Sequence, residues 1–145
     1  MKTQIVLTVN GSSRKAMEFY SQIFHAKFNM VTYGEIPSDP NNPLQESDKD
    51  KVAFGNMKIG DLKINFSDKL IDSQFAACDN VILHLAIEGA DEAIRIFNEL
   101  KIGGGILEDL HEEFFADIYG KLIDKFGVTW NILGLGSAAY KNANE

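Results

Sequence analysis

His84, Asn65 and Asn131 are the side chains whose type and placement best suit chemistry at a site. His84 stands in the middle of an apolar run, VILHLAI at 81–87. A strand alternates its faces, so His84 and Ala86 share one side while Leu83, Leu85 and Ile87 share the other. The aliphatic side suits packing beneath a helix. That leaves His84 on the open side, where an imidazole can bind a ligand oxygen or act as a general base. By the same alternation Asn131 shares a side with Thr129, opposite Val128, Trp130 and Ile132. Asn65 shares a side with Lys63, opposite Leu62, Ile64 and Phe66. Both amides offer neutral hydrogen bonds to a ligand. The competing role for all three residues is structural, because buried polar groups need partners of their own. Phe54, Phe115 and Tyr119 suit an aromatic lining around such groups, whereas the parity of Trp130 places it in the core.

The remaining candidates read as surface groups. His25 falls at a helix end, where a cation favours the helix dipole. His111 lies within EDLHEE (108–113), which reads as a solvated acidic loop. Cys78 has no histidine or basic cluster near it in sequence, so no activated thiolate is expected.

The elements that must position these residues come in duplicate. Residues 6–24 and 84–102 each run from an apolar strand through Asn10-Gly11 or Glu88-Gly89 into an amphipathic helix, and the hairpins 57–67 and 122–133 echo each other. A repeat at half the chain length predicts a doubled β-α-β-β-β unit. Strands are expected at 4–9, 27–33, 51–59, 62–67, 81–87, 105–110, 115–123 and 128–134. The first helix runs to about Phe24 and buries Ala16, Phe19, Tyr20, Ile23 and Phe24. The second runs from Asp91 to about Lys101 and buries Ala93, Ile94, Phe97 and Leu100. Gly60-Asp61 reads as a tight hairpin, and Gly103-Gly104-Gly105 as the end of the second helix. Residues 34–50 hold all three prolines and read as a loop, either a lid or a plain excursion. The tail 136–145 is small and polar and is expected to fray. The class is α+β, with curled, mostly antiparallel cup-like sheets covered outside by the helices. Residues 1–145 are expected to form one domain: module 1 at about 3–67, a linker at 68–79, module 2 at about 80–134, and the tail.

Bulk properties narrow the function. A net charge of −7 argues against nucleic acid and against an anionic membrane surface. No apolar stretch is long enough to cross a bilayer, and Lys2 and Gln4 interrupt the early apolar run that a signal peptide would need. A lone cysteine cannot form an internal disulfide and suits a reducing, cytoplasmic setting.

The segment EFFADIYGKLIDKFGVTWNI (113–132) resembles the PhnB-like branch of the glyoxalase/bleomycin-resistance/extradiol-dioxygenase proteins, the vicinal oxygen chelate superfamily. The matching marks are Phe114, Tyr119-Gly120, Asp124-Lys125-Phe126-Gly127 and Trp130. Upstream, Asn10-Gly11, Ala16, Glu18-Phe19-Tyr20, Tyr33-Gly34 and Ile59-Gly60 agree in order and spacing, so the match spans residues 3–134. The resemblance implies paired β-α-β-β-β modules, commonly in homodimers. Metal-using members place His, Glu or Gln ligands on the first and last strands of each module. Those positions align here with Ile5 (or Gln4, with a one-residue slip), Asn65, Ile82 and Asn131. Aliphatic side chains ligate nothing, and asparagine carbonyls are poor ligands for Zn²⁺, Ni²⁺ or Fe²⁺. No glycine-rich strand-to-helix turn supplies an adenosylmethionine site for a methyl transfer. No metal and no cofactor are therefore expected. The expected function is metal-independent binding of a small molecule in an apolar-aromatic cup lined by His84, Asn65, Asn131, Thr129, Phe54, Phe115 and Tyr119, in a homodimer. A metal-dependent lyase, isomerase or dioxygenase and a non-catalytic structural dimer are the alternatives.

Overall fold

Helix α1 (Ser13–Phe24) begins where Ser12 accepts a hydrogen bond from the Lys15 N–H at 3.4 Å. It ends at His25, which takes a left-handed conformation (φ 52°) and donates its N–H to the Ser21 carbonyl. His25 is thus a backbone cap as well as a helix-end side chain. The buried stripe is Ser13, Ala16, Met17, Tyr20 and Ile23; Phe19 and Phe24, expected inside, are half-buried because Met17 takes the central place. The computed structural model describes residues 1–70, 76 and 78–143, so residues 71–75 and 77 of the expected linker lie outside the described residues. The chain divides into two compact units, Met1–Phe75 and Ala76–Glu145.

In the first unit, β1 (Ile5–Leu7), β2 (Phe28–Thr32), β3 (Val52–Ile59) and β4 (Leu62–Phe66) form a mixed sheet in the order β1-β4-β3-β2. The β1–β4 pair is parallel and the others antiparallel. α1 covers the face formed by Gly55, Met57, Ile59, Ile64 and Phe66. Met17 fills the space a side chain at position 55 would need, and the Tyr20 ring lies 6.1 Å from that of Phe66. Asp68 latches the helix to the sheet, accepting the Ser13 N–H at 2.9 Å and the Val52 N–H at 2.8 Å. The loop after β2 carries two short 3₁₀ turns, Tyr33–Glu35 and Glu46–Asp48, and is tied back at its base by Tyr33 N–H to Lys51 and Gly34 N–H to Lys49.

In the second unit, β5 (Leu83–Glu88), α2 (Ala90–Leu100), β6 (Gly105–Glu113), β7 (Ala116–Ile123) and β8 (Thr129–Leu135) repeat the plan, with sheet order β5-β8-β7-β6 and a parallel β5–β8 pair. Asp91 and Glu92 in the first turn of α2 complement its dipole, and Arg95 bridges Glu92 and Glu99. The buried stripe is Ala93, Ile96, Phe97 and Leu100. Ile96 replaces the expected Ile94, because the stripe includes the i+3 neighbour of Ala93 rather than its immediate neighbour. Trp130, Ile132 and Leu122 lie fully buried on the α2 side of the sheet, where each large apolar group contributes about 1.5–3 kcal/mol. Phe97 occupies the space above Gly120 and Ala93 that above Gly134.

Two expectations fail here. The acidic stretch 108–113 is not a loop: it is the outer half of the edge strand β6. The tail does not fray over Ser137–Asn142, which form a short helix, α3. Tyr140 supplies the reason: it packs with Ala86 and Tyr119 against Ala116, Leu133 and Leu135, so an aromatic ring draws the otherwise polar tail onto the sheet.

Candidate functional site

Each sheet buries one face beneath its helix; the other face is open in the first unit and, in the second, is partly covered where Tyr140 of α3 packs over Ala86, Leu133 and Tyr119, and the polar candidates lie on these faces. In the second unit the strand registers place His84 opposite Asn131, Asn131 opposite Lys121, and Lys121 opposite Glu108. The next row on the same face runs Ala86, Leu133, Tyr119 and His111. Four strands therefore present a polar row beside one that is half aliphatic and half aromatic.

The side chains in these rows are joined. The Tyr119 hydroxyl donates to Asn131 Oδ1 at 3.4 Å, and Asn131 Nδ2 donates to His84 Nδ1 at 3.5 Å. With Nδ1 accepting, the neutral His84 ring carries its proton on Nε2, which is left to meet a ligand oxygen. Burial raises the Tyr119 phenol above its ordinary pKa, and the Glu108 and Glu113 carboxylates add to the effect, so Tyr119 stays a donor. Phe115 meets the Tyr119 ring edge-on at 5.3 Å, and Phe114 meets Phe115 at 5.1 Å. Phe115 is half-open to solvent, whereas Phe114 is almost wholly exposed. Thr129, expected to line this surface, lies on the Asn131 side but is buried at the strand end.

His111 was not expected at this face. Its ring packs edge-on against Tyr119 at 5.7 Å; its Nδ1 lies 2.7 Å from the Asp109 carbonyl and its Nε2 2.9 Å from Glu113 Oε1 and 3.5 Å from Glu108 Oε1. Glu108 and His111 are an odd number apart and should face opposite ways. Between them β6 holds one residue more than β7, a bulge that turns both to the same side. The Asp109 carbonyl chiefly, then Glu113 and Glu108, raise the His111 pKa above its usual value. The imidazolium is favoured by the fold, so its stabilising effect is complete below the unfolded-state pKa of about 6.5 and is lost as pH rises through the higher folded value. We expect an NMR titration of the His111 ring to give a midpoint above the free-histidine value; replacing Glu113 with Gln should lower it, and an unchanged midpoint would remove the ion pairs from the account.

In the first unit, the open side carries Val6 opposite Asn65, Asn65 opposite Asn56, and Asn56 opposite Asn29. Asn65 Nδ2 donates to Gln4 Oε1 at 2.8 Å. Phe54, 67% exposed, stands on the same side. Phe54 and Asn65 thus belong to one unit, and His84, Asn131, Phe115 and Tyr119 to the other.

The metal positions implied by the resemblance can be tested against this geometry. β5 begins at Leu83, so Ile82 lies just before the strand, and the register partner of Asn131 is His84. The opposed pairs are Val6 with Asn65 and His84 with Asn131. In both units an amide nitrogen, not an oxygen, faces the neighbouring Gln4 or His84. One imidazole, two amides and an aliphatic chain do not fit a tightly held transition metal. Among the described residues, Glu108, His111 and Glu113 form a group whose ligand atoms lie within 4.8 Å of one another and whose types could hold a divalent cation; here the imidazole itself answers both carboxylates.

The first unit also has a cleft of about 740 Å³ beside the start of α1, away from these faces. Its charges largely serve the fold: Asp48 pairs with Lys51 at 2.8 Å, Asp68 holds two backbone N–H groups, and Arg14 donates to the Asp50 carbonyl. We therefore place the candidate site on the open sheet faces.

Residues 1–133 match the family model described as 3-demethylubiquinone-9 3-methyltransferase. The chain is 26% identical over 133 residues to Protein YjdN of Escherichia coli (strain K12), covering 87% of this chain and 90% of that one. Among solved structures it is similar to protein PA1353 from Pseudomonas aeruginosa, with a TM-score of 0.79, 27% identity and coverage of 94% and 100%. It is also similar to a putative 3-demethylubiquinone-9 3-methyltransferase, PhnB protein, from Bacillus cereus, with a TM-score of 0.75, 24% identity and coverage of 92% and 98%. No helix among the described residues is long and apolar enough to cross a membrane.

Proposed function

The chain belongs to the 3-demethylubiquinone-9 3-methyltransferase family, the PhnB-like branch of the glyoxalase/bleomycin-resistance/extradiol-dioxygenase superfamily, and from that premise we propose that it binds a small molecule on its open sheet faces without a metal. The observation that carries this reading is the hydrogen-bonded line from Tyr119 through Asn131 to His84, which starts beside Tyr140 of α3 and ends at the exposed His84. A chain of donors and acceptors on one side of a sheet orients a polar ligand, and Phe115 on the same unit supplies apolar contact area; on the first unit Phe54 stands beside the asparagines in the same way. The poor fit of the opposed pairs to a metal supports the metal-independent part. The free edge of β6, with Ile106 and Leu107 exposed, supports a homodimer. The exposed, lone Cys78 supports a reducing, cytoplasmic setting.

The test is a thermal-shift screen of small molecules with and without EDTA. Hits are expected to stabilise the protein equally in both. For a hit seated on the second unit, His84→Ala and Asn131→Ala should each weaken binding about tenfold, the loss of one good hydrogen bond. Hits that vanish with EDTA would overturn the reading. One observation favours a metal-dependent lyase, isomerase or dioxygenase instead: the convergence of Glu108, His111 and Glu113. Stoichiometric metal, lost with EDTA and reduced in Glu108→Gln, would put that reading in place of ours.

A further inference from the structure

The open face of the first sheet is ordered in rows of one chemical type. Asn65, Asn56 and Asn29 face one another across β4, β3 and β2. Two residues along, on the hairpin side, Lys63 faces Lys58. Lys27, one residue before β2, extends that row, because Phe28 lies opposite Met57. On the other side of the amides, Val31 faces Phe54, and both are exposed. Alternation puts all of these on the side away from α1, since Met57, Ile59, Ile64 and Phe66 are buried under it. All three lysines are exposed.

Two facts single this face out. The four strands of this sheet contain no Asp or Glu, in a chain that has 21 of them. Lys58 and Lys63 are like charges placed directly opposite, an arrangement that costs stability. Among the described residues none of the three lysines lies in an ion pair with a carboxylate. In a protein of net charge −7, a row of cations with every carboxylate kept off its sheet is complementary to an anion.

We propose that this face binds an amphipathic small-molecule anion, with a carboxylate or phosphate headgroup on Lys27, Lys58 and Lys63, a polar middle on the asparagine row, and an apolar or aromatic tail on Phe54 and Val31. The proposal rests on the reading that the open faces are ligand surfaces, and it names the class of ligand for one of them. Rows two residues apart are about 6.7 Å from each other, and the long lysine side chains can lean over the asparagine row, so a ligand shorter than the roughly 13 Å between the outer rows reaches both a lysine and Phe54. The lysine row is two interstrand spacings wide, about 10 Å, which suits one headgroup rather than a polyanion.

The test is an amide NMR titration of the full chain with 2-naphthoate, 2-naphthyl phosphate and the neutral 2-naphthamide. The anions should bind, with shifts centred on Phe54, Asn56, Lys58 and Lys63, at least about tenfold more tightly than the amide. Added salt should narrow that gap. The pair Lys58→Ser and Lys63→Ser should bring the anions down to the affinity of the amide, while Phe54→Ser weakens all three. The comparison of anion with amide on the unaltered chain needs no variant. Binding of only one of the two anions still supports the proposal and names the headgroup. Equal binding of anion and amide, or shifts confined to the His84 face, would overturn it and leave the broader function standing. Shifts on this face that grow with protein concentration alone would assign it to a second copy of the chain and overturn it. No shift on either face with any of the three would overturn the proposal and leave the broader function to the thermal-shift screen.

Discussion

Asp124→Ala is expected to destabilise the protein on the order of 3–5 kcal/mol. Asp124 is 3% exposed and accepts three hydrogen bonds: from the Phe126 N–H at 2.9 Å, the Val128 N–H at 3.0 Å and the Trp130 indole N–H at 2.8 Å. Its backbone closes the same turn, with the Asp124 N–H donating to Val128 and the Gly127 N–H donating to Asp124. One carboxylate thus shapes the β7–β8 connection and seats the indole. Alanine would take one shared acceptor away from three donors in a place where water has little access, and each buried donor that loses its acceptor costs about 1–3 kcal/mol. That total is a large part of the roughly 5–15 kcal/mol that holds a typical domain together. Asp124→Asn keeps one acceptor but aims an N–H at a donor, so a smaller loss is expected. Trp130 is the only tryptophan, and guanidinium unfolding followed by its fluorescence reads the effect directly. A loss under about 1 kcal/mol would mean that water replaces the carboxylate.

Gly104→Ala is expected to cost about 3 kcal/mol or more at the other side of the same junction. A Cβ there would collide with the Ile123 carbonyl oxygen and lie 2.9 Å from the Asp124 C and Cα atoms. These are backbone atoms at the end of β7, and they cannot yield as a flexible side chain can. Gly105→Ala is the control. Its Cβ would meet Ile123 Cγ2 at an ordinary 3.6 Å, so a change within about 1 kcal/mol is expected. Equal midpoints for the two variants would show that the end of β7 moves freely and that Gly104 is not a close-approach residue. The three glycines thus differ in role: Gly103 takes the positive φ (76°) after α2, and Gly104 admits the neighbouring strand.

Strand alternation made much of the site legible. It placed His84 and Asn131 on one side and Trp130 on the other, and the structure has them so, because a strand buried on one face cannot slip by one residue without exposing its core side. Alternation could not supply register. Knowing the faces of β5 and β8 could not show that His84 is the residue opposite Asn131, because a two-residue slip keeps every side chain on its correct face and leaves no trace in the hydrophobic pattern. The same limit hid the lysine and asparagine rows, which exist only once three strands are set side by side. His111 was missed for a related reason. A bulge in β6 breaks the parity on which such a reading depends, and five polar residues out of six mimic a loop. The tail was misread on composition, since one aromatic, Tyr140, was enough to bring α3 onto the sheet.

The sequence by itself determined the doubled β-α-β-β-β plan with its two long helices, the face each strand buries and the family. These follow from local periodicity and from motifs such as Asp124-Lys125-Phe126-Gly127, whose chemistry is complete within a few residues. Only the tertiary structure decided which residues meet across longer connections or at a bulge: His84 with Asn131, Glu108 with His111 and Glu113, and Asn29 with Asn56. Those meetings depend on strand order, on bulges and on a parallel pairing between strands far apart in the chain. None of these has a signature in the local pattern, because each is selected by the packing of the whole sheet against its helix.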